Sequence, residues 1–65
     1  MKEVSRQQFD CFIDLVNKRE GYYIDELSSS LFLYKLKSGH IIGIDSPHKF
    51  EVDQKVFEQY TGTKL

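Results

Sequence analysis

The sequence lacks the residues that cross-link small secreted domains, and it lacks long apolar runs. Its 65 residues include one cysteine, one proline, no tryptophan and no alanine. The single cysteine, Cys11, excludes an internal disulfide and a zinc site built from several cysteines. No apolar run approaches the roughly 18 residues of a membrane-spanning helix. Because the N-terminal residues 1–6 also lack the apolar core of a secretory signal, we expect a cytoplasmic protein.

An excess of charge of either sign is also missing. Nine basic and ten acidic residues give a net charge of −1, whereas general nucleic-acid-binding domains usually carry a strong basic excess. The content of 40% hydrophobic and 14% aromatic residues indicates a folded domain and not a disordered tail. The absence of alanine and the excess of lysine over arginine are typical of AT-rich coding DNA. This composition favours a low-GC bacterium or its phage as the source.

Two segments have the pattern of amphipathic helices. In the first, Phe9, Phe12, Ile13 and Val16 follow helical spacing, which predicts a helix over about 6–20. Ser5 is its expected N-cap and Gly21 its expected stop. In the second, Val52, Val56, Phe57 and Tyr60 form an apolar stripe that ends at Gly62. This stripe predicts a helix over about 54–61.

The segment between residues 46 and 52 allows two interpretations. In one, Ser46 caps a helix that has Pro47 at its first position. In the other, which we prefer, residues 49–52 stay extended and Asp53 caps the second helix.

Three segments between the helices have the composition of strands, over about 22–27, 31–37 and 40–45. Ser38 and Gly39 resemble a two-residue hairpin turn, which would pair Leu36 with Ile41 and Tyr34 with Gly43. The order α-β-β-β-α then predicts a single α+β domain over residues 1–65. It would consist of a three-stranded antiparallel meander packed with two helices.

This register makes both faces of the meander apolar. One face would carry Phe32, Tyr34, Leu36 and Ile41. The other would carry Leu31, Leu33, Ile42 and Ile44. A sheet with two apolar faces needs two covers. Either one helix lies on each face, or one face meets another protein molecule, and we prefer the second alternative.

No arrangement of reactive side chains predicts catalysis or metal binding. A metal site would need His40, His48 and a carboxylate such as Asp45. The two histidines do not have the sequence spacing of a metal-ligand pair. Cys11 lies at the edge of the first helix's apolar stripe, where cysteine usually behaves as a small buried hydrophobe. A core this small also leaves little room for a substrate pocket. We therefore predict a protein that is not an enzyme and has no cofactor.

A small protein-binding module is the function that these observations favour. Such a chain acts by covering a surface, and aromatic side chains are suitable anchors. The expected partner-binding residues are Tyr22, Tyr23, Phe32 and Tyr34. The partner would be another protein or a second copy in a homodimer. A phage or mobile-element factor that inhibits or redirects a host protein would have this form.

The alternative function is a nucleic-acid-binding regulator. Phe32 and Tyr34 could stack on bases, as aromatic residues do on sheets that bind single strands. The basic residues that would contact phosphates are Lys35, Lys37, His40, His48 and Lys49. The near-neutral total charge weakens this alternative, because phosphate affinity comes mainly from counterion release.

Overall fold

Five antiparallel strands and two helices form the structure, a computed structural model that describes residues 1–65. In chain order the elements are β1 (Lys2–Val4), α1 (Arg6–Arg19), β2 (Tyr23–Ser28), β3 (Leu31–Lys35), β4 (Ile41–Asp45), β5 (Phe50–Val52) and α2 (Gln54–Thr61). The strands form one sheet in the order β1-β5-β4-β3-β2, and all neighbours are antiparallel. The protein is therefore a mixed α+β domain. Neither helix is long and apolar enough to cross a membrane.

The sheet contains two strands more than the sequence predicted. The three predicted strands are present as β2, β3 and β4, with ends shifted by at most two residues. The segment 49–52 is extended as predicted, but its last three residues also join the sheet as β5. Strand β1 was not predicted. The predicted order α-β-β-β-α is therefore wrong at these two places, and the meander is the middle and one edge of a larger sheet.

The first helix begins and ends as its capping residues predict. The Ser5 hydroxyl accepts a hydrogen bond from the Gln8 N–H at 3.1 Å, and the Gln8 side-chain oxygen accepts one from the Ser5 N–H at 2.8 Å. This reciprocal pair satisfies two backbone donors at the helix start. Gly21 follows the helix with φ +79°, the left-handed conformation that glycine adopts without strain.

The second helix spans the predicted residues, and Asp53 is its N-cap. The Asp53 carboxylate accepts a hydrogen bond from the Val56 N–H at 3.0 Å. Its other oxygen lies 2.9 Å from His40 Nε2. Burial alone would raise the pKa of Asp53, but the hydrogen bonds from Val56 and His40 hold it below the ordinary value of 3.8. The charged carboxylate therefore ties α2 to the β3–β4 hairpin.

We expect Asp53→Ala to lower the free energy of unfolding at pH 7 by about 1 kcal/mol, the usual cost of losing an N-cap. Because the folded-state pKa of Asp53 lies below its unfolded value, its charge stabilises the fold above pH 3.8. This contribution is lost as the pH falls through the folded-state pKa. Asp53→Asn keeps a side-chain oxygen that can accept the N-cap hydrogen bond, but it removes the negative charge. Urea unfolding should show a stability gap between wild type and Asp53→Asn at pH 7 that closes in acid. A gap that stayed constant down to pH 2 would contradict this assignment.

The β3–β4 hairpin differs from the predicted two-residue turn. The Leu36 N–H donates to the His40 carbonyl at 2.9 Å, so the loop consists of the three residues 37–39. Gly39 adopts φ +95° at its end, as three-residue hairpin loops require. A register shift follows, since Lys35 pairs with Ile41 and Tyr34 with Gly43. Ile42 is the extra residue of a β-bulge. The predicted pairing of Leu36 with Ile41 is therefore wrong, whereas that of Tyr34 with Gly43 is confirmed.

The bulge changes which isoleucine enters the core. Ile42 is fully buried, whereas Ile41 is only half-buried. Ile41 lies on the same face as its partner Lys35, because directly opposed residues in an antiparallel pair share a face. The predicted faces were thus wrong for both residues. Ile42 belongs with Tyr34 and Leu36, and Ile41 belongs with Leu33 and Ile44.

Both helices cover the same side of the sheet. The Phe9 ring of α1 lies 5.1 Å from the rings of Tyr34 and Phe50 on the strands, and Phe12 lies 5.3 Å from Phe57 of α2. The buried core consists of Val4, Phe9, Phe12, Ile13, Val16, Ile42, Val52 and Phe57. The alternative with one helix on each face is therefore wrong. The second face of the sheet has no cover within the chain.

Candidate functional site

The uncovered side of the sheet is the most distinctive surface of the protein, and we call it the open face. Its centre consists of the half-buried aliphatic side chains Leu31, Leu33, Ile41 and Ile44. The register aligns them in cross-strand rows. One row runs through all five strands as Asp25, Leu33, Ile44, Glu51 and Glu3. Antiparallel sheets with one solvated face usually have polar side chains on it, so this aliphatic centre is unusual.

Charged side chains border the aliphatic centre as ion pairs. Lys35 Nζ lies 3.0 Å from Asp25 Oδ2, and only 20% of the lysine side chain is exposed, because its stem lies along the sheet. On the β5 side, Lys49 Nζ lies 3.9 Å from Glu51 Oε2. The open face therefore presents aliphatic side chains between two borders that each carry both signs of charge.

Strand β2 forms the edge of the sheet beside the open face. It pairs only with β3, so its outer backbone groups have no strand partner. Three of the four large hydrophobic side chains that are exposed in the structure lie on it: Tyr23, Ile24 and Leu27, which are 45%, 47% and 56% exposed. A six-residue edge with exposed apolar side chains is a ready template for another strand. Tyr23 lies on the open-face side of this edge, because its register partner is Lys35, whereas Ile24, the partner of Tyr34, lies on the helix side.

The four predicted partner-binding aromatic residues do not share a face. Tyr23 lies on the open-face side of β2, because its register partner is Lys35. Tyr34 lies on the helix side against Phe9, and Tyr22 lies 5.4 Å from Tyr34 between ring centroids. Phe32 shares the helix side with Tyr34, two residues away on the same strand. The predicted placement of Phe32 and Tyr34 on one face is confirmed, but the sequence assigned no face to Tyr22 and Tyr23.

Most of the predicted phosphate-contacting residues have a carboxylate partner within the chain. Lys35 pairs with Asp25, His40 with Asp53, and Lys49 with Glu51. Lys37 and His48 form no ion pair. The five residues also lie in different parts of the molecule, on β3, in the β3–β4 connection and in the β4–β5 connection.

The residues considered for chemistry lie apart from one another. No group of three or more histidine, cysteine, aspartate or glutamate side chains is close enough together to hold a metal ion. Cys11 is exposed, not buried as we expected. The buried stripe of α1 is centred on Phe9, Phe12 and Val16, and position 11 lies on its flank, outside the contact with the sheet.

The sequence missed the open face as a unit for one reason. The sequence pattern placed Leu31, Leu33 and Ile44 on one face. It did not place Ile41 there, because the bulge at Ile42, which moves Ile41 onto this face, was not predicted. A strand with consecutive isoleucines followed by glycine is the one signal that could have revealed it, because a glycine in a strand often marks a bulge.

Comparisons of the chain with protein-family models, with curated proteins and with solved structures found no match.

Proposed function

We propose that the protein is a small non-catalytic protein-binding module that acts by covering the surface of another protein. The open face carries this proposal. Its aliphatic centre is uncovered within the chain, although a fold of this size gains from every apolar side chain it buries. A partner surface would add a third layer, on the side of the sheet that the two helices leave uncovered. An inhibitor or regulator, such as a phage or mobile-element factor directed at a host protein, would use its surface in this way.

The area of the open face favours a different protein over a second copy. Five strands, each three to six residues long and spaced by about 4.8 Å, cover roughly 400 Å². Two copies stacked face to face would thus bury about 800 Å² in total, below the 1,200–2,000 Å² or so of stable interfaces. A partner that also engages the β2 edge would reach the larger area. Its surface should be aliphatic at the centre, with charged groups that face the Lys35–Asp25 and Lys49–Glu51 pairs.

The charges of β2 also disfavour self-association along its edge. Asp25 and Glu26 occupy the middle of the strand. An antiparallel pair of β2 strands centred there brings carboxylates of the two copies directly opposite each other, which is destabilising. A partner strand with neutral or basic residues at these positions has no such repulsion. The edge therefore fits a strand from a different protein.

The double variant Leu33→Thr/Ile44→Thr tests the open face. Threonine keeps strand propensity while it adds polar groups to the aliphatic centre. Val56→Thr on α2 is the matched control, because it makes a similar change away from the face. Tagged wild-type protein, double variant and control would each be incubated with a nuclease-treated lysate of the source organism or its host, and mass spectrometry would compare the captured proteins. We expect the wild type and the control to capture the same protein and the double variant to lose it.

Reconstitution with the captured protein then gives the affinity and its dependence on salt. We expect the double substitution to weaken binding at least 10-fold, with little change between 50 and 500 mM salt, because the contact is mainly apolar. Retention of the partner by a folded double variant would refute the open face as the docking surface. A steep loss of affinity with salt would show that the bordering charges, and not the aliphatic centre, carry the contact. Sedimentation equilibrium of the isolated 7.7 kDa chain should show a monomer. A dimer that the double variant dissociates would assign the face to a second copy.

A further inference from the structure

A second concave surface lies on the helix side of the sheet, between α1, Tyr22 and Tyr34 of β3. It is a groove of about 280 Å³. Phe9, Tyr22 and Tyr34 form its aromatic floor, and the carboxylates of Asp10 and Asp14 form its rim. Its volume lies at the lower limit of known ligand pockets, so it fits a single side chain better than a cofactor. None of the contacts proposed for the open face involves this groove.

The floor of the groove has exposed aromatic surface and hydroxyl groups that are not used by the fold. The Tyr22 and Tyr34 rings are tilted by 34° at 5.4 Å, and the edge of Phe9 supports Tyr34 at 5.1 Å. Neither tyrosine hydroxyl forms a hydrogen bond within the chain, whereas Tyr60 donates one to Glu20. The electron-rich faces of such rings attract cations, and arginine most often.

The electrostatic environment of the groove is negative. Burial raises the pKa of Tyr34, and the carboxylates of Asp45 and Asp10 raise it further. Asp10 and Asp14 pair with Arg6 and Lys18 at 3.7 and 3.0 Å, but all four side chains are 60–81% exposed. Such exposed pairs contribute little. A cation from outside the chain can therefore replace them at small cost.

We propose that this groove binds an arginine side chain of a partner protein or peptide. The guanidinium plane would stack on Tyr22 and Tyr34. Its N–H groups would donate to the carboxylates of Asp10 and Asp14, a geometry that the planar guanidinium satisfies better than an ammonium group. The tyrosine hydroxyls would accept the remaining hydrogen bonds. This contact explains why the acidic residues of α1 and the stacked tyrosines lie together.

The probe for this site is the blocked peptide acetyl-Arg-Arg-Arg-amide, titrated against the ¹⁵N-labelled protein by NMR. The tri-lysine peptide tests the preference for guanidinium, and the uncharged tri-citrulline peptide tests the need for charge. We expect the tri-arginine peptide to shift the signals of Tyr22, Tyr34 and the Asp10–Asp14 turn of α1. The lysine peptide should bind several-fold more weakly, and the citrulline peptide should not bind. Equal binding of the citrulline peptide would overturn the proposal.

Two variants separate a defined site from general electrostatic attraction. Asp10→Asn/Asp14→Asn should weaken binding of the tri-arginine peptide at least 10-fold. Glu3→Gln/Glu51→Gln makes the same change in net charge on the open face and should alter binding less than about 2-fold. Equal weakening by both double variants would refute the groove.

The aromatic floor has its own variant, Tyr22→Leu, which leaves all carboxylates in place. We expect it to weaken binding by about 3- to 30-fold, the range of a cation–π contact from exposed to desolvated sites. The NMR spectrum itself reports whether the variant is folded. Unchanged affinity in a folded Tyr22→Leu variant would exclude the stacking contact.

Discussion

Ile42→Ala is expected to lower the free energy of unfolding by about 2–5 kcal/mol, whereas Ile41→Ala should cost only about 1 kcal/mol. The two residues are neighbours of the same type, so intrinsic strand propensity affects both substitutions equally. They differ because the bulge directs the Ile42 side chain into the core, where it is fully buried, and leaves Ile41 on the open face. Urea unfolding of the two variants measures the difference directly.

The matched pair also tests the hairpin loop. With a two-residue turn and no bulge, Ile41 would lie with Tyr34 on the helix side and would be the sensitive position. A larger loss of stability for Ile41→Ala than for Ile42→Ala would therefore contradict the three-residue loop. The total stability of a 65-residue domain is about 3–10 kcal/mol, so Ile42→Ala should remove a large share of it.

Gly43→Ala should be destabilising by about 1–3 kcal/mol, although alanine normally suits a strand better than glycine does. A Cβ atom at position 43 would lie 2.9 Å from Phe9 Cε1 and 3.1 Å from Cζ. Phe9 is 1% exposed, and its ring is held between Tyr34 and Phe50. The ring cannot move away without disturbing both contacts, so the added methyl group strains the core.

A double-mutant cycle isolates this close approach. Phe9→Leu shortens the side chain above Gly43 and carries its own cost. If the two residues clash, Gly43→Ala/Phe9→Leu should lose less stability than the sum of the single variants, as thermal unfolding or urea unfolding would show. Additive losses would mean that Gly43 is required for a reason other than the space that Phe9 occupies.

The sequence predicted those parts of the fold that depend on local signals. Ser5, Asp53 and Gly62 set helix ends through hydrogen bonds and backbone conformations that involve residues three or four positions away. Strands β2, β3 and β4 contain enough alternating or β-branched residues to be recognised. For each of these elements the cause lies within the element itself.

The missed features depend on partners that are distant in the sequence. Strand β1 has three residues, too few for a periodic pattern, and it is extended because β5 lies beside it. The bulge at Ile42 depends on a loop with one residue more than predicted, and Gly39 supports a loop of either length. The longer loop and the bulge together exchange the faces of Ile41 and Ile42, whereas the residues from Gly43 onward keep their predicted register.

For the candidate sites, the sequence supplied the residue types but not their grouping. It identified an excess of apolar residues on the sheet, and this excess is present as the open face. It could not assign Tyr22 and Tyr34 to the groove, because their proximity to Asp10 and Asp14 arises only when α1 packs across the sheet. The position of α1 is decided by its contacts with Phe50 and Tyr34, which lie far along the chain.

The pairing of β1 with β5 has a consequence for the order in which the protein folds. It joins residues 2–4 to residues 50–52, so it closes the 45 residues between them into one loop. The β2–β3–β4 hairpins need only short loops, which close much faster. During synthesis on the ribosome, residues 2–4 emerge well before residues 50–52 and cannot pair until those residues follow. Strand β1 is thus among the last elements to become ordered, and this high contact order should make the final step of folding the slow one.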